Sequence, residues 1–132
     1  LMYNISQNGI KFAKLKSKEL TDIGECYYLL KIYYSERELS QEDLCDIFCQ
    51  SKGTVAKTLR KLEDKGYIER IINKNNRRKY ILKLTKKGDE LIPVLKREAD
   101  YWHNSVGFTE VSEETMDVIR TVARKSYNLV ND

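Results

Sequence analysis

The sequence predicts a mostly α-helical protein with one small β-hairpin, an α+β fold class, and three observations carry that expectation. Apolar residues recur at helical spacing over most of the 132 residues. Only residues 67–72 and 79–85 are rich instead in β-branched and aromatic side chains, and the NKNNRR within the interval between them favours a turn. Charge is divided unevenly: residues 51–88 hold 13 Lys/Arg against 3 acids, a net of +10, while the other 94 residues hold 11 basic and 17 acidic groups. A chain of net charge +4 has gathered its positive charge into one contiguous stretch. A polyanion-binding surface requires this, because counterion release from phosphates supplies much of the affinity.

Taken in order, residues 3–16 contain no proline and carry Ile5, Ile10, Phe12 and Leu15 at loosely helical spacing, which predicts a helix with a modest apolar face. Thr21 or Asp22 then caps a second helix through Tyr34, with Ile23, Tyr27, Leu30 and Tyr34 in phase and Leu29 and Tyr33 beside them. After a break at residues 35–38, Ser40 and Asp43 fit a capping box for a short helix that turns Leu44, Ile47 and Phe48 inward. Ser51 caps the next helix, over residues 52–65. Its buried stripe is Val55, Leu59 and Leu62, its other side carries Gly53, Thr54, Lys57, Arg60, Lys61 and Asp64, and Gly66 ends it. Two helices joined by a short turn, the second basic on its outer face, form a helix-turn-helix pattern.

In the second strand Tyr80, Leu82 and Leu84 alternate with Lys79, Ile81 and Lys83, so one face is apolar. A two-stranded hairpin is not stable alone and must lean on the helices, leaving a tip with Lys74, Arg77 and Arg78 projecting. Thr85 caps a long helix with Leu91, Val94, Leu95, Tyr101 and Trp102 as its apolar positions, and Pro93 predicts a kink near Glu90. Past Gly107, Ser112 caps a last helix striped by Met116, Ile119, Val122, Ala123, Tyr127 and Val130. The long helix and the last helix carry more apolar surface than a winged helix-turn-helix needs, and together with the first helix they are assigned to a dimer interface.

Several classes are disfavoured. No apolar run approaches the roughly 20 residues of a membrane span. The first residues lack the apolar segment of a secretory signal, and Leu1 in place of an initiator methionine reads as a trimmed start. Cys26, Cys45 and Cys49 are odd in number with no CxxC spacing, which points to a reduced, cytoplasmic setting. With His103 the single histidine, no metal site and no cofactor are expected. Any of the three thiols remains an alternative redox sensor. No nucleophile motif, glycine-rich phosphate loop or paired carboxylate setting supports an enzyme. A protein-interaction module would want an apolar or mixed outer face where this chain has a basic one.

The segment LSQEDLCDIFCQSKGTVAKTLRKLEDKGYIER followed by NNRRKYILKLTKKG, within residues 39–88, resembles the MarR family of winged helix-turn-helix regulators. Leu62, Glu63, Gly66, Ile68, Arg70, Leu84, Thr85 and Gly88 fall in register with the family pattern Leu-Glu-x-x-Gly-x-Ile-x-Arg, an Asp-x-Arg wing and Leu-Thr-x-x-Gly. The departures are Asn76 at the usual wing aspartate, and Cys49 and Gln50 at a turn that commonly carries a glycine and an aliphatic residue. The resemblance implies a winged helix-turn-helix over residues 21–85 and a helical dimerisation region from residues 1–20 and 86–132. It also implies a homodimer that binds double-stranded DNA at a pseudo-palindromic operator as a transcriptional repressor, released by a small lipophilic or phenolic effector. On the helix from Lys52, Thr54, Lys57 and Thr58 are the base-edge candidates: a threonine methyl packs on a thymine methyl, and a lysine suits guanine O6 and N7. Ser51, Lys52, Arg60 and Lys61 are assigned to phosphates. By family register Arg78 is the wing arginine of the minor groove, with Lys74 and Arg77 as phosphate-binding neighbours.

Overall fold

The elements follow in the order α1 (Met2–Lys16), α2 (Ile23–Tyr34), α3 (Gln41–Phe48), α4 (Lys52–Asp64), β1 (Ile68–Ile72), β2 (Tyr80–Leu84), α5 (Lys86–Ser105), a short 3-10 turn (Phe108–Glu110) and α6 (Glu113–Asn131) in the computed structural model. The structure describes residues 2–16, 20 and 22–131. No helix among them is long and apolar enough to cross a membrane.

Local chemistry sets most boundaries. Asp22 caps α2 by accepting from the Gly24 N–H at 2.9 Å, while Thr21, the alternative cap, lies outside the described residues. Ser40 and Asp43 form the reciprocal box: the Ser40 N–H donates to Asp43 Oδ2 at 2.8 Å and the Asp43 N–H to Ser40 Oγ at 3.2 Å. At the end of α3, Cys49 takes left-handed backbone angles, φ 51 and ψ 49, and its N–H returns to the Cys45 carbonyl. This is the position where the family pattern has glycine, and a Cβ there costs about 1 kcal/mol. The turn is then pinned through Gln50, whose side-chain oxygen accepts from the buried Tyr28 hydroxyl. Gly66, at φ 77, ends α4, with its own N–H bonded to the Glu63 carbonyl and that of Tyr67 to the Leu62 carbonyl.

The core lies between α2, α3, α4 and the hairpin, where Tyr28, Leu29, Leu44, Val55, Leu59 and Leu62 are buried together. One carboxylate sits inside it: Glu25 is fully buried and accepts from Lys65 Nζ at 2.6 Å, tying α2 to the end of α4. A buried ion pair of this kind holds two elements in register more than it stabilises them, since desolvation offsets much of the attraction.

The hairpin is antiparallel, with Ile68 opposite Leu84 and Ile72 opposite Tyr80. Its base is joined to the helix-turn-helix at three places. Leu39 bridges to Leu82, whose N–H donates to the Leu39 carbonyl at 2.8 Å. Arg70 donates to Glu63 of α4 at 2.9 Å and to Gln41 of α3 at 3.2 Å. The Glu and Arg of the family pattern are therefore partners in one ion pair.

The Leu-Thr-x-x-Gly segment is a junction. Thr85 caps α5 by accepting from the Gly88 N–H at 3.1 Å, while its hydroxyl donates to the Gly66 carbonyl at 2.6 Å. A Cβ on Gly88 would stand 2.2 Å from the Tyr67 carbonyl oxygen, so only glycine lets α5 start this close to β1. From there α5 runs unbroken through Pro93 and buries Ile92 and Leu95, whereas Val94 and Tyr101, expected inward, are exposed.

The outer helices differ from expectation in how they pack. α1 lies on α2 and α5 of its own chain, with Gly9 closely approached by Ile23 and Trp102 and with Phe12 against the rings of Tyr101 and Trp102. Ile5, expected inward, is exposed. α6 buries none of its residues fully; Met116, Ile119 and Tyr127 are half-buried, and Val118, Val122, Leu129 and Val130 face outward. Ser112 caps it through the Thr115 N–H at 3.2 Å.

Candidate nucleic-acid interface

The exposed side of α4 and the tip of the hairpin carry the positive charge, and ion pairing sorts the cations into two sets. Lys65 is tied to Glu25 and Arg70 to Glu63, so both work inside the fold. Lys61 and Lys83 make longer contacts, to Asp22 at 3.8 Å and Glu38 at 3.5 Å, between exposed groups in which water screens most of the attraction. Lys52, Lys57, Arg60, Lys74, Arg77, Arg78 and Lys79 are all exposed and have no ion-pair partner among the described residues. An unneutralised set on one rigid support is the arrangement that phosphates neutralise.

At the start of α4 the sequence-predicted residues fall into distinct roles. Ser51 is the N-cap: its oxygen accepts from the Thr54 N–H at 3.2 Å and lies 3.0 Å from the Thr54 hydroxyl. That oxygen is occupied, so an anion at this helix end would meet the hydroxyl proton and the first backbone N–H groups. Thr54 is exposed with its hydroxyl turned to Ser51, which leaves its methyl as the outward chemistry. Lys57 and Arg60 continue the exposed face. Gly53, counted above only as part of that face, has no atom within 4 Å of where its Cβ would be, so backbone is presented openly beside Lys52.

Thr58 corrects the sequence reading. It is only 6% exposed and its hydroxyl donates to the Thr54 carbonyl at 3.2 Å, so it faces the core beside Val55 and Leu62. It stands three residues from Val55 and four from Leu62, on the buried stripe, so its methyl is not offered to a base.

The hairpin tip is ordered by asparagines. Asn73 Oδ1 accepts from the Asn75 N–H at 2.9 Å, and Asn76 Oδ1 accepts from the Arg78 N–H at 3.2 Å. The Lys79 N–H adds a bond to the Asn76 carbonyl at 3.0 Å. Asn76, standing where the family has aspartate, thus fixes the backbone at Arg78 by a neutral hydrogen bond. Lys79 and Tyr80 border the same hollow as Arg78, together with Gln41, Glu42 and Arg70. No role was assigned to either of them from sequence, although their adjacency to Arg78 was the available signal.

Two of the three thiols, Cys26 and Cys45, fit a redox site poorly. Burial, with Glu25 and Asp22 nearby, pushes the Cys26 thiol up to about 11, and burial also raises Cys45. Both are protonated, and the thiolate is the reactive form. Cys49 is half-exposed, with its Sγ 3.9 Å from the Asp46 carbonyl. Among the described residues no group of three or more His, Cys, Asp or Glu is placed to hold a metal ion.

The sequence model of the MarR family matches residues 24–80, which span α2 through the first residue of β2. The crystal structure of MarR superposes with a TM-score of 0.71 at 30% identity, covering 98% of this chain and 87% of that one. The chain belongs to the MarR family. Its MarR fold is shared with a putative MarR family transcriptional regulator from Listeria monocytogenes complexed with 26mer DNA, at 27% identity and a TM-score of 0.65, covering 98% of this chain and 83% of that one. Over 121 residues it is 29% identical to the uncharacterized HTH-type transcriptional regulator YybA of Bacillus subtilis (strain 168), covering 90% of this chain and 79% of YybA. The chain is a winged helix-turn-helix transcriptional regulator of the DNA-binding kind.

Proposed function

We propose that the chain acts as a homodimeric, sequence-specific repressor on a pseudo-palindromic operator and that a small lipophilic effector releases it. The observation that carries this reading is the sorting of charge: cations inside the winged lobe are closely paired, and those on the outer face of α4 and the hairpin tip are not, Lys61 making only a long, water-screened contact to Asp22. In this reading α4 enters the major groove by its N-terminal half, with the Thr54 methyl and Lys57 at base edges. Lys52, Arg60 and Lys61 hold phosphates, joined by Ser51 through its hydroxyl proton and the helix amides. Arg78 reaches the minor groove from a tip ordered by Asn76, with Lys74 and Arg77 on the flanking phosphates. The relative complexed with 26mer DNA supports duplex DNA as the partner.

The outward stripe of α6, with Tyr3 and Ile5 of α1, is suited to a second copy, giving a two-fold pair whose recognition helices lie about 34 Å apart. Regions 1–20 and 86–132 then serve association and region 21–85 DNA contact. An apolar cleft of about 80 Å³ opens where α1, α2 and α5 meet. A molecule seated there changes the angle between the winged lobe and the outer helices, and so the spacing of the two α4 helices.

Genomic fragments selected by the protein give the operator, and mobility shifts on that operator test the residues. Arg78→Ala should weaken binding by about 1–3 kcal/mol and relax any A·T preference beneath the wing. Lys57→Ala should lose discrimination between operator and random DNA as well as affinity. Unchanged affinity and sequence preference in Arg78→Ala would remove the wing from the interface, and an equal loss on both DNAs would reduce Lys57 to a phosphate contact.

A further inference from the structure

The cleft between α1, α2 and α5 has a chemistry that limits what it holds. Its apolar walls include Phe12, Ala13, Ile23, Leu30, Leu95 and Trp102. Besides the Trp102 indole N–H, three side chains able to hydrogen-bond line it. The Cys26 thiol is protonated, as described above. The Tyr27 hydroxyl is 3.2 Å from His103 Nε2 and is engaged there. The third is Glu98, which carries the only formal charge among the described lining residues. Its ion partner is Arg97 at 3.7 Å, whose side chain is 72% exposed and does not line the cleft. A pair between neighbours on one helix, open to water, leaves the carboxylate available to a stronger partner.

We infer that the ligand of this cleft is a lipophilic amine, its ammonium set against Glu98 and its apolar body against Phe12, Tyr27 and Trp102. An anionic ligand would bring a second negative charge beside Glu98, with no cation among the described lining residues to balance it, and a neutral phenol of the class the family resemblance implies would gain only a hydrogen bond there. A cation gains twice, from the carboxylate and from the negative faces of the aromatic walls. This assignment rests on the effector reading only in taking the cleft as a ligand site.

Trp102 is the chain's one tryptophan and lines the cleft, so its fluorescence reports occupancy directly. Phenylethylamine, phenylethanol and phenylacetate present the same ring with a positive, a neutral and a negative end. Phenylethylamine should bind about tenfold more tightly than phenylethanol, equivalent to about 1.4 kcal/mol, with phenylacetate weakest. Glu98→Gln should bring the amine down to the alcohol and leave the alcohol unchanged, while Ala99→Leu, which fills the cleft, should remove all three responses. The inference is overturned if phenylacetate binds as well as the amine, if Glu98→Gln preserves the amine preference, or if the response survives Ala99→Leu. It is also overturned, together with the cleft as a ligand site, if none of the three probes perturbs Trp102. Operator affinity measured in parallel separates the two readings: amine binding with the expected charge preference but no loss of DNA affinity supports the ligand class and removes the effector role.

Discussion

From α2 to β2 the chain closes upon itself, whereas α6 buries no residue fully and is tied to the winged lobe by a surface bond, from the Arg124 guanidinium to the Asp46 carbonyl of α3. In the first region Tyr28, Leu29, Leu44, Val55, Leu59 and Leu62 are buried together, a carboxylate is accommodated by pairing with Lys65, and three links hold the hairpin to the helices. In the second, 19 residues of helix bury none of their side chains fully, and Leu129 and Val130 are 86% and 78% exposed. The two regions have similar proportions of apolar residues, so composition does not separate them. What separates them is how much of that apolar surface is covered within the chain. The winged lobe encloses its own, and α6 leaves Val118, Val122, Leu129 and Val130 outward, the surface that the proposed dimer would use.

Substitutions that act on only one region sharpen that contrast. The largest effect expected is Gly88→Ala, because the new Cβ meets backbone that cannot yield. Urea denaturation should show a loss of about 3 kcal/mol, in the range of overpacked or strained sites, with no change in self-association at concentrations where the protein stays folded. Next is Val122→Asp, which places a carboxylate in the outward stripe of α6. Sedimentation should show dimer affinity falling by about 2 kcal/mol or more, while the winged lobe keeps its structure by circular dichroism. A dimer unaffected by Val122→Asp would break the contrast, since the stripe would then have some other purpose.

The smallest effect belongs to the capping box. Hydrogen bonding to Arg37 foremost, then to the Ser40 N–H and hydroxyl, holds the Asp43 carboxyl down at about 2, against the desolvation that raises it. A carboxylate with a lowered value in the folded state stabilises that state above its unfolded value of about 3.9. That contribution fades as the pH falls from about 4 towards 2. Asp43→Asn should therefore cost about 1 kcal/mol near neutral pH, and the gap to the parent protein should shrink as the pH is lowered through that window. A gap that stays constant with pH would mean the charge on Asp43 contributes nothing.

Sequence made the caps legible because each is a local pairing: Ser40 with Asp43, Ser51 with Thr54, Thr85 with Gly88 and Ser112 with Thr115 are all three residues apart. It made the basic face of α4 legible for the same reason. Non-local geometry was the part that stayed hidden. Thr58 was misplaced because the chemistry of its methyl was weighed above its phase on the helix. The burial of Glu25 depends on Lys65, forty residues away in the chain. The cleft holding Glu98 is assembled from α1, α2 and α5 and has no signature in any one of them. The tolerance of Cys49 for a left-handed turn was equally unreadable, because the Tyr28 to Gln50 bond that secures the turn comes from another helix.

The links at the base of the hairpin bear on how a groove is measured. With Leu82 bonded to Leu39, and Arg70 spanning α3 and α4, the wing sits against the recognition helix as a caliper's jaw sits on its beam. In the proposed complex such a tool takes one reading, the offset between a major groove and the minor groove beside it. DNA whose local twist misses that offset has to be deformed to fit or has to strain those three links. Base pairs that no side chain touches would then be selected by their stiffness.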